Sequence, residues 1–133
     1  MGAVVADTHA MVWYLFSPGR LSARARSALE EAVQGGDPIY IASISLVEIR
    51  YLADKGRLSG DLPQQLDREL DDPSSALMIV PLDRAVAGAL ARVSRDAVPD
   101  MPDRIIAATA LHLNVPLVTR DGMIRAAPIT TIW

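Results

Sequence analysis

The chain has 133 residues, enough for one domain with a sizeable core and too few for a second domain of useful size. Half of the residues are hydrophobic and none is cysteine, which excludes a disordered chain, disulfide bridges and thiolate metal sites, and which suits a reducing cytoplasm. The formal net charge of −3 excludes a uniformly basic surface for an anionic partner.

The first residues, MGAVVADTHAMVW, lack the basic segment of an export signal and contain no apolar run near the length that crosses a bilayer. We therefore expect a soluble, cytoplasmic protein. No linker, repeat or block of charge divides the chain, so we expect a single domain over residues 1–133.

Short apolar runs of strand length alternate with longer segments of helical period, which is the pattern of a parallel sheet covered by helices. In chain order the pattern predicts strand 3–6, helix 9–16, helix 22–34, strand 39–42, helix 46–55, helix 63–71, strand 77–80, helix 83–95, helix 102–113, strand 116–119 and strand 129–132. The predicted fold class is α/β: an open, doubly wound, Rossmann-like parallel sheet of about five strands with helices on both faces. Such sheets bind ligands outside the carboxyl ends of their strands, near the point where strand order reverses.

Four acidic residues from distant segments are predicted to share that edge. Asp7 directly follows the first strand, and Asp121 follows the fourth by one residue. Glu48 lies in the first turn after the second strand, and Asp103 in the first turn of the helix that leads into the fourth strand. Helices of such a sheet run opposite to the strands, so their first turns lie at the same edge as the strand ends.

Each acid also has a purely structural explanation. The sequence from Ser45 to Glu48 fits a capping box, in which both side chains satisfy backbone N–H groups at a helix start. Asp7 could cap the following helix, Asp103 could complement a helix dipole, and Asp121 could hold an Asp-Gly turn. The coincidence of all four is harder to explain in this way.

Carboxylates held within a few ångströms of one another repel unless cations neutralise them. Oxygen ligands without cysteine and with few histidines favour Mg²⁺ or Mn²⁺ over zinc. Such ions can orient a phosphodiester, activate a water and stabilise the leaving oxygen, so the set is consistent with a metal-dependent nuclease. Removing the four acids from the formal charge of −3 leaves +1, which reconciles the net charge with an RNA substrate.

Two further acids serve as comparisons. Asp83 follows the third strand, which should lie far from the strand reversal, and we interpret it as a helix cap. Asp100 either caps the helix that carries Asp103 or acts as an outer carboxylate that reaches the metal through water, and the cap is favoured because Pro102 follows in the first turn.

Several neighbours of these acids could assist them. Thr8 and Thr119 could orient the metal-binding carboxylates by hydrogen bonding to them, although Thr119 could equally be an ordinary strand residue. Arg104 and Arg120 could contact RNA phosphates, and solvent exposure or ion pairing explains them equally well. His9 could face the substrate, whereas a lone histidine on an apolar helix more often packs or is solvated, as we expect for His112.

With these residues placed, the sequence resembles the PIN-domain ribonucleases, and specifically the VapC toxins of bacterial VapBC toxin–antitoxin pairs. The matching stretches span nearly the whole chain in family order: VVADTHAMVW around Asp7, ASISLVEI around Glu48, MPDRIIAATAL around Asp103 and PLVTRDGMI around Asp121. Many relatives carry Asn or Ser at the position of His9, which leaves a role for that residue open.

The resemblance implies a Mg²⁺- or Mn²⁺-dependent endoribonuclease whose metal ligands and catalytic residues are the same four acids, with Thr119 near the metals. It also implies a homodimer and a small VapB-like antitoxin whose C-terminal segment blocks the active-site groove. Since all four acids are intact, the resemblance gives no sign of an inactive enzyme.

Two other functions also use an acid-lined site of this kind. A receiver-type phosphorylation switch would need paired acids after the first strand, a phosphoacceptor Asp after the third and a Lys after the fifth, yet the only Lys is Lys55 in a helix. A noncatalytic module that uses the acids only to hold RNA or a protein partner through metal is not excluded by the residues.

Overall fold

In the computed structural model, which describes residues 2–125 and 128–133, five parallel strands form one sheet. The strands are β1 (Val4–Ala6), β2 (Ile39–Ala42), β3 (Leu77–Val80), β4 (Leu117–Val118) and β5 (Thr131–Ile132). Their order across the sheet is β3-β2-β1-β4-β5, and every neighbouring pair is parallel. The chain moves outward from β1 through β2 and β3, then returns to the other side for β4 and β5. Strand order therefore reverses between β1 and β4.

Seven α-helices occur in the described residues: α1 (Thr8–Phe16), α2 (Ala23–Gln34), α3 (Ser43–Asp54), α4 (Leu62–Asp71), α5 (Arg84–Ala89), α6 (Met101–Leu113) and α7 (Gly122–Arg125). Their ends follow ordinary capping chemistry. Ser22 begins α2 by accepting the Ala25 N–H at 3.0 Å, and Asn114 ends α6 in the left-handed region at φ 54°. Within the part of the chain described here, none of these helices has the length and apolar character needed to traverse a membrane.

The sheet separates two apolar cores, because successive strand side chains point to opposite faces. On β1, Val4 and Ala6 join one core while Val5 joins the other. The first core contains buried residues of α1, α2 and α4, and the second contains buried residues of α5, α6 and α7. Helices thus cover both faces, which leaves the carboxyl edge of the sheet as the place where strand ends and helix starts meet.

The predicted fold class is confirmed: an α/β protein with a five-stranded parallel sheet and helices on both faces. Three local predictions are corrected. Helix α3 begins at Ser43, three residues earlier than predicted, and residues 122–125 form α7, where no helix was predicted. The predicted helix 83–95 ends at Ala89 and continues only as a 3₁₀ turn, Leu90–Arg92, because the Arg104 side chain binds backbone carbonyls there.

Candidate active site

The structure brings the four predicted acids together at one pocket of about 610 Å³, at the carboxyl edge where strand order reverses. Asp7 stands between β1 and α1, and Asp121 between β4 and α7. Glu48 comes from α3 and Asp103 from the first turn of α6. The remaining lining residues are Thr8, His9, Trp13, Arg20, Arg57, Leu58, Asp100, Ile106 and Arg120.

Asp7 is held by both of its carboxylate oxygens. The Ala10 N–H donates to Oδ1 at 2.8 Å, so Asp7 is the N-cap of α1. The hydroxyl of Thr119, a fully buried residue at the end of β4, donates to Oδ2. Thr119 also accepts the Asp121 N–H at 3.0 Å. One hydroxyl therefore connects two of the acids across the strand reversal.

Glu48 is oriented by a pair of hydroxyl groups. Thr8 Oγ1, on α1, lies 2.6 Å from Glu48 Oε1 and 2.9 Å from Ser45 Oγ, and both hydroxyl residues are buried. Because the Thr8 hydroxyl has one proton, we assign that proton to the carboxylate and take Ser45 as donor to Thr8.

The capping-box explanation of Ser45 and Glu48 is wrong. Helix α3 begins two residues before Ser45, its N-cap is Ala42, and that cap makes no side-chain hydrogen bond. Glu48 therefore lies beyond the first turn of α3, where no backbone N–H group awaits its carboxylate. Its side chain faces the pocket instead.

Asp100 and Asp103 form the α6 side of the pocket. Asp100 is the N-cap of α6 and accepts the Asp103 N–H at 3.3 Å, while it also lines the pocket. Both interpretations of Asp100, as a cap and as an outer carboxylate, are thus compatible with its position. Asp121 is also a helix cap, since its Oδ1 accepts the N–H groups of Met123 at 2.8 Å and Ile124 at 3.2 Å at the start of α7.

The electrostatics of the pocket are those of crowded carboxylates. Burial, and after it the negative charges of the surrounding acids, together raise the pKa of Asp103 to about 7; those acids are Asp100, Asp121, Glu48 and Asp7. Burial also raises the pKa values of Asp7 and Glu48, against the lowering effect of the hydrogen bonds from Thr119 and Thr8 respectively. A nearby positive charge would stabilise the ionised form of each of these three carboxylates.

The chemistry of these residues suits a divalent cation, although they do not form a closed ligand cage. Within residues 2–125 and 128–133, no three Asp, Glu or His side chains close into a complete ligand set. The donor chemistry nevertheless fits Mg²⁺ or Mn²⁺, because the acids offer only hard oxygen donors and raise one another's pKa. A closed cage is not required for Mg²⁺, which keeps several waters and uses one or two carboxylates together with substrate phosphates.

The arginines and histidines fall into different environments. The Arg104 guanidinium turns away from the pocket and donates to the carbonyls of Leu90 at 3.2 Å and Val93 at 2.9 Å, which ties α6 to the end of α5. We therefore do not retain Arg104 as a phosphate contact. Arg120 and His9 both line the pocket and are exposed, whereas exposed His112 is absent from its lining.

Sequence reasoning missed two arginines that line the pocket, Arg20 and Arg57, and the contact of the Ser45 hydroxyl with that of Thr8. Arg20 belongs to the 3₁₀ turn Pro18–Arg20, and Arg57 follows α3. No spacing signal marks either arginine. The sequence could have excluded a capping role for Ser45. If α3 is started directly after β2, at Ser43, then Ser45 is its third residue and is too far inside the helix to be its N-cap.

Comparison with known proteins gives one family. The PIN domain family matches residues 4–129. Ribonuclease VapC22 of Mycobacterium tuberculosis is 32% identical over a 146-residue alignment that covers 100% of both chains. Two solved structures are similar in fold. The crystal structure of VapBC2 from Rickettsia felis, bound to a DNA fragment from their promoter, has a TM-score of 0.72 and 19% identity and covers 97% of this chain and 96% of its own. That of FitAcB from Neisseria gonorrhoeae has a TM-score of 0.66 and 25% identity and covers 96% of this chain and 95% of its own.

The family match extends over nearly all of the strands and helices that carry the pocket. The VapC22 alignment spans the complete chain, and its identity is high enough to show that the two proteins belong to the same family. The resemblance inferred from the four acidic stretches is thereby confirmed. This chain belongs to the PIN-domain family, in its VapC group.

Proposed function

We propose that this protein is an endoribonuclease that hydrolyses RNA phosphodiester bonds with Mg²⁺ or Mn²⁺ and acts as the toxin of a toxin–antitoxin pair. The observation that carries the proposal is the convergence of Asp7, Glu48, Asp103 and Asp121 on one pocket at the strand reversal. The name of the relative, a VapC ribonuclease, supports the same activity.

In this proposal carboxylates of the four acids would hold the divalent cation together with waters and a substrate phosphate, and the bound cation would supply water activation and stabilisation of the leaving oxygen. The protein's own part is to fix the carboxylates. Thr119 and the Ala10 N–H hold the two oxygens of Asp7, and Thr8 holds Glu48. These hydrogen bonds favour the charged carboxylates against the burial that would protonate them.

The direct test is to titrate Mn²⁺ into the purified protein with a structured RNA and follow cleavage. We expect metal-dependent cleavage by the wild type and none by Asp7→Asn. Asp83→Asn is the matched control, because it makes the same charge change at a helix cap outside the pocket. Wild-type protein that binds the RNA in Mn²⁺ without cutting it would reject the enzyme in favour of the noncatalytic module.

The proposed partners are a cognate VapB-like antitoxin and a second copy of this chain. VapC proteins are the toxins of VapBC pairs, and an antitoxin segment that enters the pocket would cover the acids. We also propose that the chain works as a single domain in the cytoplasm, where RNA is available. We expect a short antitoxin gene beside its own; co-expression of that gene should restore growth and yield a complex, and light scattering should show a homodimer. Toxicity that the neighbouring gene leaves unrelieved would contradict the antitoxin assignment.

A further inference from the structure

Two arginines of the pocket are held on the ring of Trp13. The guanidinium carbon of Arg20 lies 4.9 Å from the ring centroid and that of Arg120 lies 4.8 Å from it. Both distances are within the range of cation–π attraction. The two arginines come from different segments, the 3₁₀ turn after α1 and the connection between β4 and α7, and Trp13 is the feature that they share.

The ring that holds them is a fixed part of the core. Trp13, a residue of α1, is 5% exposed and packs in the first core. Its ring centroid lies 5.6 Å from that of His9 and 5.9 Å from that of Trp133. A guanidinium that stacks on such a ring loses less conformational freedom when it binds a ligand than one on a free side chain does.

Neither guanidinium is neutralised by the acids around it. Five carboxylates line the same pocket as Arg20 and Arg120, yet among residues 2–125 and 128–133 the ion pairs are Arg26 with Glu30 and Arg50 with Asp67. A guanidinium has five N–H donors, and in the described residues none of those of Arg20 or Arg120 forms an ion pair, so they can serve a ligand. The pocket thus combines an acidic interior with two positioned cations.

We propose that Arg20 and Arg120 form a paired subsite for the phosphodiester backbone of the RNA substrate, next to the acids that act on the scissile phosphate. The inference rests on the proposed ribonuclease function and assigns its substrate contacts. A planar guanidinium matches two phosphate oxygens at once, which gives position as well as charge. Arg104, bound to backbone carbonyls, has no part in this subsite.

The test measures RNA binding in the Asp7→Asn background, so that the RNA stays intact. A fluorescein-labelled single-stranded RNA is titrated at several salt concentrations with Arg20→Gln, Arg120→Gln and Arg24→Gln. Arg24 is the matched control, because it is exposed on α2 and outside the pocket. Each subsite variant should lower the slope of log affinity against log salt by about 0.7, the value for one single-strand phosphate contact. Each should also weaken binding by roughly three- to tenfold, the loss expected for one ordinary hydrogen bond at a solvent-exposed position.

Arg24→Gln should leave both quantities near those of the background protein. Equal slopes for all three variants, or no change at Arg20 and Arg120, would overturn the subsite. A hexaglutamate peptide is titrated in parallel. If the Arg20 and Arg120 variants weaken the peptide and not the RNA, the pair binds an acidic protein segment and the proposal is wrong.

A kinetic arm separates this inference from the proposed function. With Asp7 restored and Mn²⁺ present, Arg20→Gln and Arg120→Gln should raise KM and change kcat little, because a contact to a neighbouring, unreacting phosphate is made equally in the ground state and the transition state. Wild-type protein that fails to cleave RNA would reject the function. Wild-type cleavage together with unchanged KM in both variants would reject only the subsite.

Discussion

The β1–α1 and β3–α5 junctions have the same local structure and different surroundings. Asp7 and Asp83 each follow a strand and cap the next helix. Each accepts the N–H of the residue three positions later: Asp7 from Ala10 at 2.8 Å and Asp83 from Val86 at 3.0 Å. Asp83 is exposed beside an edge strand. Asp7 sits at the strand reversal, where Thr119 binds its second oxygen and burial raises its pKa.

The comparison teaches that a strand–Asp–helix motif does not by itself identify a site. Capping uses one carboxylate oxygen and is satisfied at both junctions. What differs is the neighbouring strand: β1 lies beside β4, so a second chain segment brings further acids and hydroxyls to Asp7. Position in the sheet turns an ordinary cap into a pocket carboxylate.

The largest difference between the junctions should appear in catalysis. Asn caps helices as well as Asp does, so Asp7→Asn should fold normally while cleavage falls by more than about a hundredfold, beyond the loss typical of residues that only support a metal ligand. Asp83→Asn should cleave at the wild-type rate. Rates are measured in Mn²⁺ with circular dichroism as the folding check. Comparable rates for the two variants would remove the distinction drawn between the junctions.

The second test removes the hydroxyl that distinguishes Asp7 from Asp83. Thr119→Val should lower kcat/KM by roughly ten- to a hundredfold, because Asp7 loses the donor that orients it. Thr119→Ser should restore most of the activity.

Thr109 provides the control for this change. It is equally buried, and its hydroxyl donates to the Ile105 carbonyl at 2.8 Å, within α6. Thr109→Val should leave kcat/KM unchanged. A loss at Thr109 as large as that at Thr119 would mean that cleavage reports general destabilisation of the fold.

A smaller loss of kcat/KM is expected when the hydrogen bond to Glu48 is removed. Glu48 has no counterpart at the β3–α5 junction. Thr8→Val removes the donor to Glu48 Oε1 and should lower kcat/KM by about tenfold, at the low end of the range for groups behind a metal ligand. Because that hydrogen bond lowers the pKa of Glu48, its loss should also move the acid limb of the pH–rate profile to higher pH.

Ser45→Ala should produce the same shift in the pH profile with a smaller loss of rate, since Ser45 acts through Thr8. Ser43→Ala, in the same helix, is the control, because Ser43 Oγ accepts the Leu82 N–H at 3.1 Å outside the pocket. An unmoved acid limb in Thr8→Val would show that the hydroxyl pair serves only packing.

The architecture was accessible from the sequence because it depends on periodicity. Apolar runs and helical stripes specify which faces are buried, and parallel strands joined by helices must bring strand ends and helix starts to one edge. That argument places Asp7 and Asp121 without any side-chain coordinates. It fails at the start of α3, where Ser45 fits a cap by spacing but is bound by Thr8 from another helix.

The support around the acids was accessible only in part. Thr8 and Thr119 could be named because they adjoin Asp7 and Asp121, but their partners lie 40 and 112 positions away. Arg104 and Arg120 have equivalent positions beside site acids, and only packing sends one to backbone carbonyls and the other to Trp13. Such choices depend on tertiary distances that sequence spacing does not contain.

The smallest predicted effect concerns stability without metal. The folded-state pKa of Asp103 is about 7, against an ordinary value of 3.8, so the folded protein keeps this proton to higher pH than the unfolded chain does. The resulting stabilisation is complete below pH 3.8 and is lost as pH rises through about 7. Because Asp103 is only half-buried, solvent screening limits the loss to the order of 1 kcal/mol. Urea unfolding in EDTA should give a lower free energy of unfolding at pH 8 than at pH 5. Asp103→Asn should reduce this difference, and Mn²⁺ should raise the free energy of unfolding more at pH 8 than at pH 5. If Asp103→Asn kept the full pH dependence of stability, or if Mn²⁺ stabilised the protein equally at both pH values, then crowding of carboxylates at the strand reversal would not be the cause of that pH dependence.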